Sequence, residues 1–187
     1  HEGHSIWNRT LPDNENHRAT ETDASPDVRS YLHDVVQWHV AYHRRPRFVG
    51  KTPRNVLRLR FLHEIFPTSR IVHLVRDGRP VAVSIAKRYR LEHELPNLWW
   101  GARPPGWRSR QTAPPLVKAA WTWKQCLHHF ESDASVYPEE RIMEMHYESF
   151  ASSPQAELRR LFSFADFSSE DFFQDHRRQL DKIHPPA

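Results

Sequence analysis

Residues 48–88, FVGKTPRNVLRLRFLHEIFPTSRIVHLVRDGRPVAVSIAKR, constrain the fold of this chain more than any other stretch. They read as strand, turn, helix, strand, turn, helix, an alternation that predicts a parallel sheet with helices packed on it. Phe48-Val49-Gly50 is read as the end of the first strand. Thr52 is a favourable N-cap, and Pro53 suits the first helical position. Leu57, Phe61, Leu62, Ile65 and Phe66 then recur at helical spacing until Pro67 stops the run. Ile71-Val72-His73-Leu74-Val75 is almost continuously apolar, the pattern of a strand buried on both faces. Asp77-Gly78-Arg79 turns the chain, and Pro80 opens the next helix.

In an open parallel sheet, ligands bind outside the carboxyl ends of the strands. Lys51 and Arg76 each end a strand, so both are expected at one edge of the sheet. A strand end beside a helix N-terminus favours anions. Ser84 and Arg88 are four apart and share a helix face. An Arg fork matches phosphate oxygens, and a Ser adds a neutral donor, so Arg76, Ser84 and Arg88 suit one phosphate. Each has a structural alternative: a solvated loop lysine, an arginine paired with Asp77, an ordinary helix serine, a solvated basic face.

Elsewhere the pattern predicts a covering helix from Ser25-Pro26-Asp27 onward, with Val28, Leu32, Val35, Val36, His39 and Val40 inward. A long amphipathic helix is expected over residues 114–132. A third strand, 141–146, ends at Tyr147-Glu148. Phe48–Gly50, Ile71–Val75 and Ile142–Met145 are expected as neighbours or near neighbours, bringing Lys51, Arg76 and Tyr147 to one edge. Residues 91–115 hold Trp99, Trp100 and Trp107 among prolines and two glycines, too many tryptophans for a flexible connector. Either their flat faces stack on a ligand, or they pin the loop to the domain. Arg103, Arg108 and Arg110 in that segment either meet an anion or stay solvated. His17 has no partner by spacing, and neither His1 with His4 nor His128 with His129 makes a convincing metal site.

A chain of 187 residues is long enough for one domain with a sizeable core. Its net charge of +4 favours anionic ligands and is too mild to demand nucleic acid. The single Cys126 excludes an internal disulfide, fits a reducing compartment, and supports a cytoplasmic expectation. No apolar run approaches the ~20 residues of a membrane span, and no signal-peptide pattern is present.

The ordered pair KTP and RDGRPVAVSIAKR, in strand–helix context, resembles the 3′-phosphoadenylylsulfate (PAPS)-dependent sulfotransferases. The similarity is to the branch of bacterial and tyrosylprotein sulfotransferases, from about residue 2 to about residue 161. The resemblance implies a P-loop-like parallel sheet flanked by helices, in a single domain over residues 1–187. It also implies transfer of a sulfuryl group from PAPS to a hydroxyl or amine, without a metal. By position, Arg76 and Ser84 would bind the 3′-phosphate with help from Arg88, Lys51 would steady the transferring group, and Tyr147 would lie against the adenine. Glu2, in EGHSIW, would be the general base; the bland alternative is an exposed terminus. Arg177, Arg178 and Lys182 match, by order only, a late basic loop. The segment 91–115 would line or cover the acceptor site. A small molecule, carbohydrate, lipid or peptide all fit as acceptor.

One hallmark is missing. The glycines are Gly3, Gly50, Gly78, Gly101 and Gly106. None lies in a Gly/Ser/Thr-rich phosphosulfate loop, and no GxxxxGK[ST] occurs. The loop and its strand are therefore expected upstream of Glu2, in a longer natural protein. The chain as written, which starts at His1 and whose methionines are Met143 and Met145, is expected to keep a partial nucleotide site without turnover. A competing reading is a non-catalytic nucleotide- or polyanion-binding α/β domain.

Overall fold

A computed structural model describes residues 4–11, 15–91 and 99–168. The chain divides into two compact units. One comprises His1–Ser69 and Gly78–Val136, the other Arg70–Asp77 and Tyr137–Ala187.

The first unit is helical. Its elements are α1 (His4–Thr10), α2 (Pro26–Tyr42), α3 (Leu59–Ile65), α4 (Gly78–Leu91) and α5 (Pro115–Ala134). Ser25 caps α2 by accepting the Val28 N–H, with Pro26 in the first turn. Leu32 on α2 is fully buried against Trp7, Ala19, Phe61, Leu62 and Ile65, with Val28 and Tyr31 packed beside them. The C-cap of α2 is a Schellman arrangement. Arg45 N–H donates to the Val40 carbonyl, Arg44 N–H donates to Ala41, and Arg44 takes the left-handed conformation, φ 49°.

The expected strand at Phe48–Gly50 is absent. Those residues form exposed, unpaired backbone, and the helix after them is split. Pro53–Leu57 is a 3₁₀ turn, capped by the Thr52 hydroxyl accepting the Arg54 N–H at 3.4 Å, and α3 follows. Phe48–Gly50 carry no strand assignment, and Val49 is 79% exposed. Three apolar residues carry no period long enough to settle the choice.

Helices α4 and α5 pack on one another. Ala82 and Ala86 on α4 and Ala119 and Thr122 on α5 are buried, small enough to admit close approach. Gly78, at the start of α4, is set by the same contact. A Cβ there would lie 2.8 Å from three ring atoms of Trp123. Gly78→Ala is therefore expected to destabilise the fold by about 1–3 kcal/mol. The denaturant midpoint measures this, and the penalty should vanish in a Trp123→Ala background, as coupled neighbours require.

The N-terminal segment is fastened to α3 and α5 through charge. Asp133, at the end of α5, is 1% exposed and receives both terminal nitrogens of Arg18, the second at 2.8 Å. Arg60 Nε on α3 lies 3.3 Å from the same carboxylate, and its Nη1 reaches Glu21 at 3.1 Å. Buried His17 is held by Arg103 and Arg58. Its Nδ1 accepts the Arg103 N–H at 2.9 Å, and its carbonyl accepts from Arg58 Nε at 3.2 Å.

The second unit holds a two-stranded parallel sheet, β1 (Ile71–Val75) beside β2 (Ile142–His146), with α6 (Tyr147–Ser152) and α7 (Pro154–Phe164) following. Ile71 pairs with Ile142 and Val75 with His146. Paired residues share a face. On one face Met143 and Met145 are buried while Val72 and Leu74 are exposed; on the other, His73 is buried while Glu144 is exposed. The expectation of a strand buried on both faces therefore fails for β1, because apolar composition reports only what a strand can bury. Arg70 donates to the Phe164 carbonyl at 2.6 Å and pairs with Asp166, fastening the start of β1 to the end of α7.

Candidate functional site

Arg76 follows β1, and Tyr147 follows β2. Because the strands are parallel and in register, their carboxyl ends adjoin, and so do these two residues. The Arg76 Cζ stands 4.3 Å from the centroid of the Tyr147 ring. The ring quadrupole attracts the cation. An extended strand end thus presents a fixed guanidinium beside a flat aromatic surface. That pairing of a fork for oxyanions with a stacking face is suited to a phosphorylated heteroaromatic compound.

Glu148, the first acid after Tyr147, supports this corner. Its carboxylate accepts the Asp77 backbone N–H at 3.0 Å, tying the turn after β1 to the start of α6. That hydrogen bond, foremost, holds the Glu148 carboxyl below its ordinary value, and the nearby Arg76 charge adds to it. The sequence marks Glu148 only as the partner of Tyr147 in a YE pair, because its link to Asp77 spans residues far apart in the chain.

The remaining candidates described lie on the helical unit. Lys51 is exposed, directly before the Thr52 cap, and follows no strand. Ser84 and Arg88 share a face of α4, as their four-residue spacing requires, and both are exposed, with Ala82 and Ala86 buried. Glu2, Arg177, Arg178 and Lys182 lie outside the described residues. Among the described residues, no group of three or more His, Cys, Asp or Glu side chains is placed to hold a metal ion.

The tryptophan-rich segment resolves toward anchoring where it is described. Trp99 and Trp107 are buried. Their rings lie 5.4 Å apart, and Trp99 meets Trp121 of α5 at 6.0 Å. Trp99 Nε1 donates to the Ala102 carbonyl at 2.8 Å, and Trp107 Nε1 donates to the Glu15 carbonyl. Trp100 is the exposed member, its N–H donating to the Tyr89 hydroxyl at 3.2 Å. Arg103 and Arg108 lie over Trp107. Lys118, buried on α5, sits 4.4 Å from the Tyr89 ring centroid and donates to the Gln111 carbonyl. Burial lowers its pKa.

Residues 2–171 match the family model described as the sulfotransferase family. Protein-tyrosine sulfotransferase A of Caenorhabditis elegans is 21% identical over 155 residues, covering 83% of this chain and 36% of the relative. The omega-hydroxy-beta-dihydromenaquinone-9 sulfotransferase of Mycobacterium bovis is 22% identical over 140 residues, 75% of this chain and 34% of the relative. The chain thus spans about a third of the length of these curated relatives. No solved structure matches.

Proposed function

The chain belongs to the sulfotransferase family, and from that membership we propose that it moves a sulfuryl group from PAPS to a hydroxyl or amine acceptor by in-line transfer. The observation that supports the PAPS assignment is the Arg76–Tyr147 pair, a phosphate fork and an aromatic ring at adjoining strand ends. In this reading Arg76, Ser84 and Arg88 hold the 3′-phosphate, and Tyr147 stacks on the adenine. As the acceptor oxygen bonds to sulfur, the bond from sulfur to the phosphate oxygen breaks, and adenosine 3′,5′-bisphosphate leaves. Lys51 balances the charge that builds on the transferring group and on the leaving phosphate. The acceptor's proton passes to Glu2.

The names of the two relatives favour a hydroxyl over an amine. One is a protein-tyrosine sulfotransferase, and the other acts on an omega-hydroxy menaquinone. Both acceptors are therefore worth assaying with this chain.

Calorimetry tests the donor site. Adenosine 3′,5′-bisphosphate is expected to bind about tenfold or more tightly than 5′-AMP, the worth of one charge-assisted contact to the 3′-phosphate. Equal affinities sink the proposal. Transfer of labelled sulfate to a tyrosine peptide or an omega-hydroxy lipid would establish the chemistry. Tight bisphosphate binding without transfer to any acceptor, in a longer chain that includes a phosphosulfate loop, would favour the binding-domain reading.

A further inference from the structure

The last turns of α2 and the loop after it carry a surface that sulfuryl transfer does not use. Trp38 is 64% exposed and Tyr42 is 68% exposed, and their rings stack at 5.1 Å. Tyr42 meets His43 at 5.0 Å, His43 meets His39 at 4.4 Å, and His39 meets Phe48 edge-on at 5.5 Å. Five rings are thus joined on the outside of the unit, in contrast to the buried Trp99–Trp107 pair. Every residue from Ala41 to Lys51 is exposed. The run contains Arg44, Arg45 and Arg47, and no acidic residue occurs between Asp34 and Glu64. Asp34, one turn before Trp38, is the nearest acid along the helix.

Arg44 adds an independent observation. It occupies the left-handed C′ position of the Schellman cap, where glycine is the comfortable residue. A guanidinium stands there at an exposed position that local backbone sterics would favour for glycine.

We infer that this end of α2 with its following loop docks on an anionic lipid bilayer, the rings entering the interface and the arginines meeting lipid phosphates. Aromatic rings beside a cluster of cations suit the boundary between headgroups and acyl chains. A second copy of the same face would set arginine against arginine, which disfavours a symmetric pair. Among the described residues no helix is long and apolar enough to cross a membrane, so the contact is with the surface. Neither Trp38 nor Arg44 has a place in the transfer chemistry, and the inference stands whether or not that chemistry is correct.

The test is sedimentation of the protein with vesicles of phosphatidylcholine alone or mixed with phosphatidylglycerol. Binding is expected only to the mixed vesicles and should weaken as salt rises. Trp38→Ala should reduce partitioning about tenfold or more, the worth of withdrawing a buried ring. Arg44→Gly should reduce it about fivefold, the worth of one surface charge. Its melting temperature should stay level or rise, since glycine relieves the left-handed residue; this separates lost docking from lost folding. No binding, equal binding to both vesicles, or unchanged partitioning of both variants overturns the inference. So does equally tight binding to soluble polyglutamate, which would mark an acidic protein partner instead.

Discussion

Arg76→Ala is expected to weaken adenosine 3′,5′-bisphosphate binding about 10- to 100-fold while leaving 5′-AMP binding nearly unchanged. A hydrogen bond to a charged group contributes roughly 1.5–3 kcal/mol, which converts to that range. The selectivity matters more than the size of the loss. A general collapse of the corner around Tyr147 would weaken both nucleotides together, whereas loss of one phosphate contact weakens only the ligand that carries it. Arg76→Lys should fall between, since an ammonium keeps the charge and loses the planar fork. Titration calorimetry of both nucleotides against the three proteins decides it. A parallel fall in both affinities for Arg76→Ala would reassign the residue from phosphate binding to holding Tyr147 in place.

The second large effect is on stability. Asp133→Ala should destabilise the protein by about 3–5 kcal/mol, because it strands Arg18 without the carboxylate that receives it. Arg60, which also borders that carboxylate, would keep only part of its charge balance through Glu21. Removing both partners should be milder than removing one. Arg18→Met with Asp133→Leu is expected to recover much of the loss, since an apolar pair leaves no buried charge behind. Denaturant unfolding of the single and double variants gives the comparison. A loss below about 1 kcal/mol for Asp133→Ala would show the cluster to be no stronger than a surface ion pair.

These two predictions differ in how far the sequence foretells them. Arg76 and Tyr147 were legible because each follows a short apolar strand, and strand ends are where ligands of parallel sheets collect. The strand Ile71–Val75 matches its expected bounds, and β2 and α5 fall within two residues of theirs. Long apolar periodicity, bounded by Pro or Gly, is a local signal and survives folding. Asp133 was not legible. Its partner Arg18 lies 115 positions away, and nothing near either residue announces the other. His17 was hidden in the same way, its lock being Arg103, 86 positions on. Trp99 and Trp107 had two readings from composition, and packing against α5 chose the structural one. Phe48–Gly50 failed because three residues are too few to distinguish a strand from a loop. The left-handed Arg44 was invisible, since no sequence rule places arginine where glycine is preferred.

The pairing of Ile71 with Ile142 also sets a clock. Synthesis delivers β1 early, yet its partner strand is encoded after α4 and α5. At about 5–20 residues per second, the intervening stretch takes roughly 4–14 s to translate. For that interval the nascent chain carries Val72 and Leu74 on β1 without its partner β2, while α2 and α3 already have their core neighbours Trp7 and Ala19. Loop closure over so long a span is slow, so β1 should join β2 only after the elements of the helical unit have been synthesised. Until then, β1 is available to a chaperone or to the β1 of a neighbouring nascent chain.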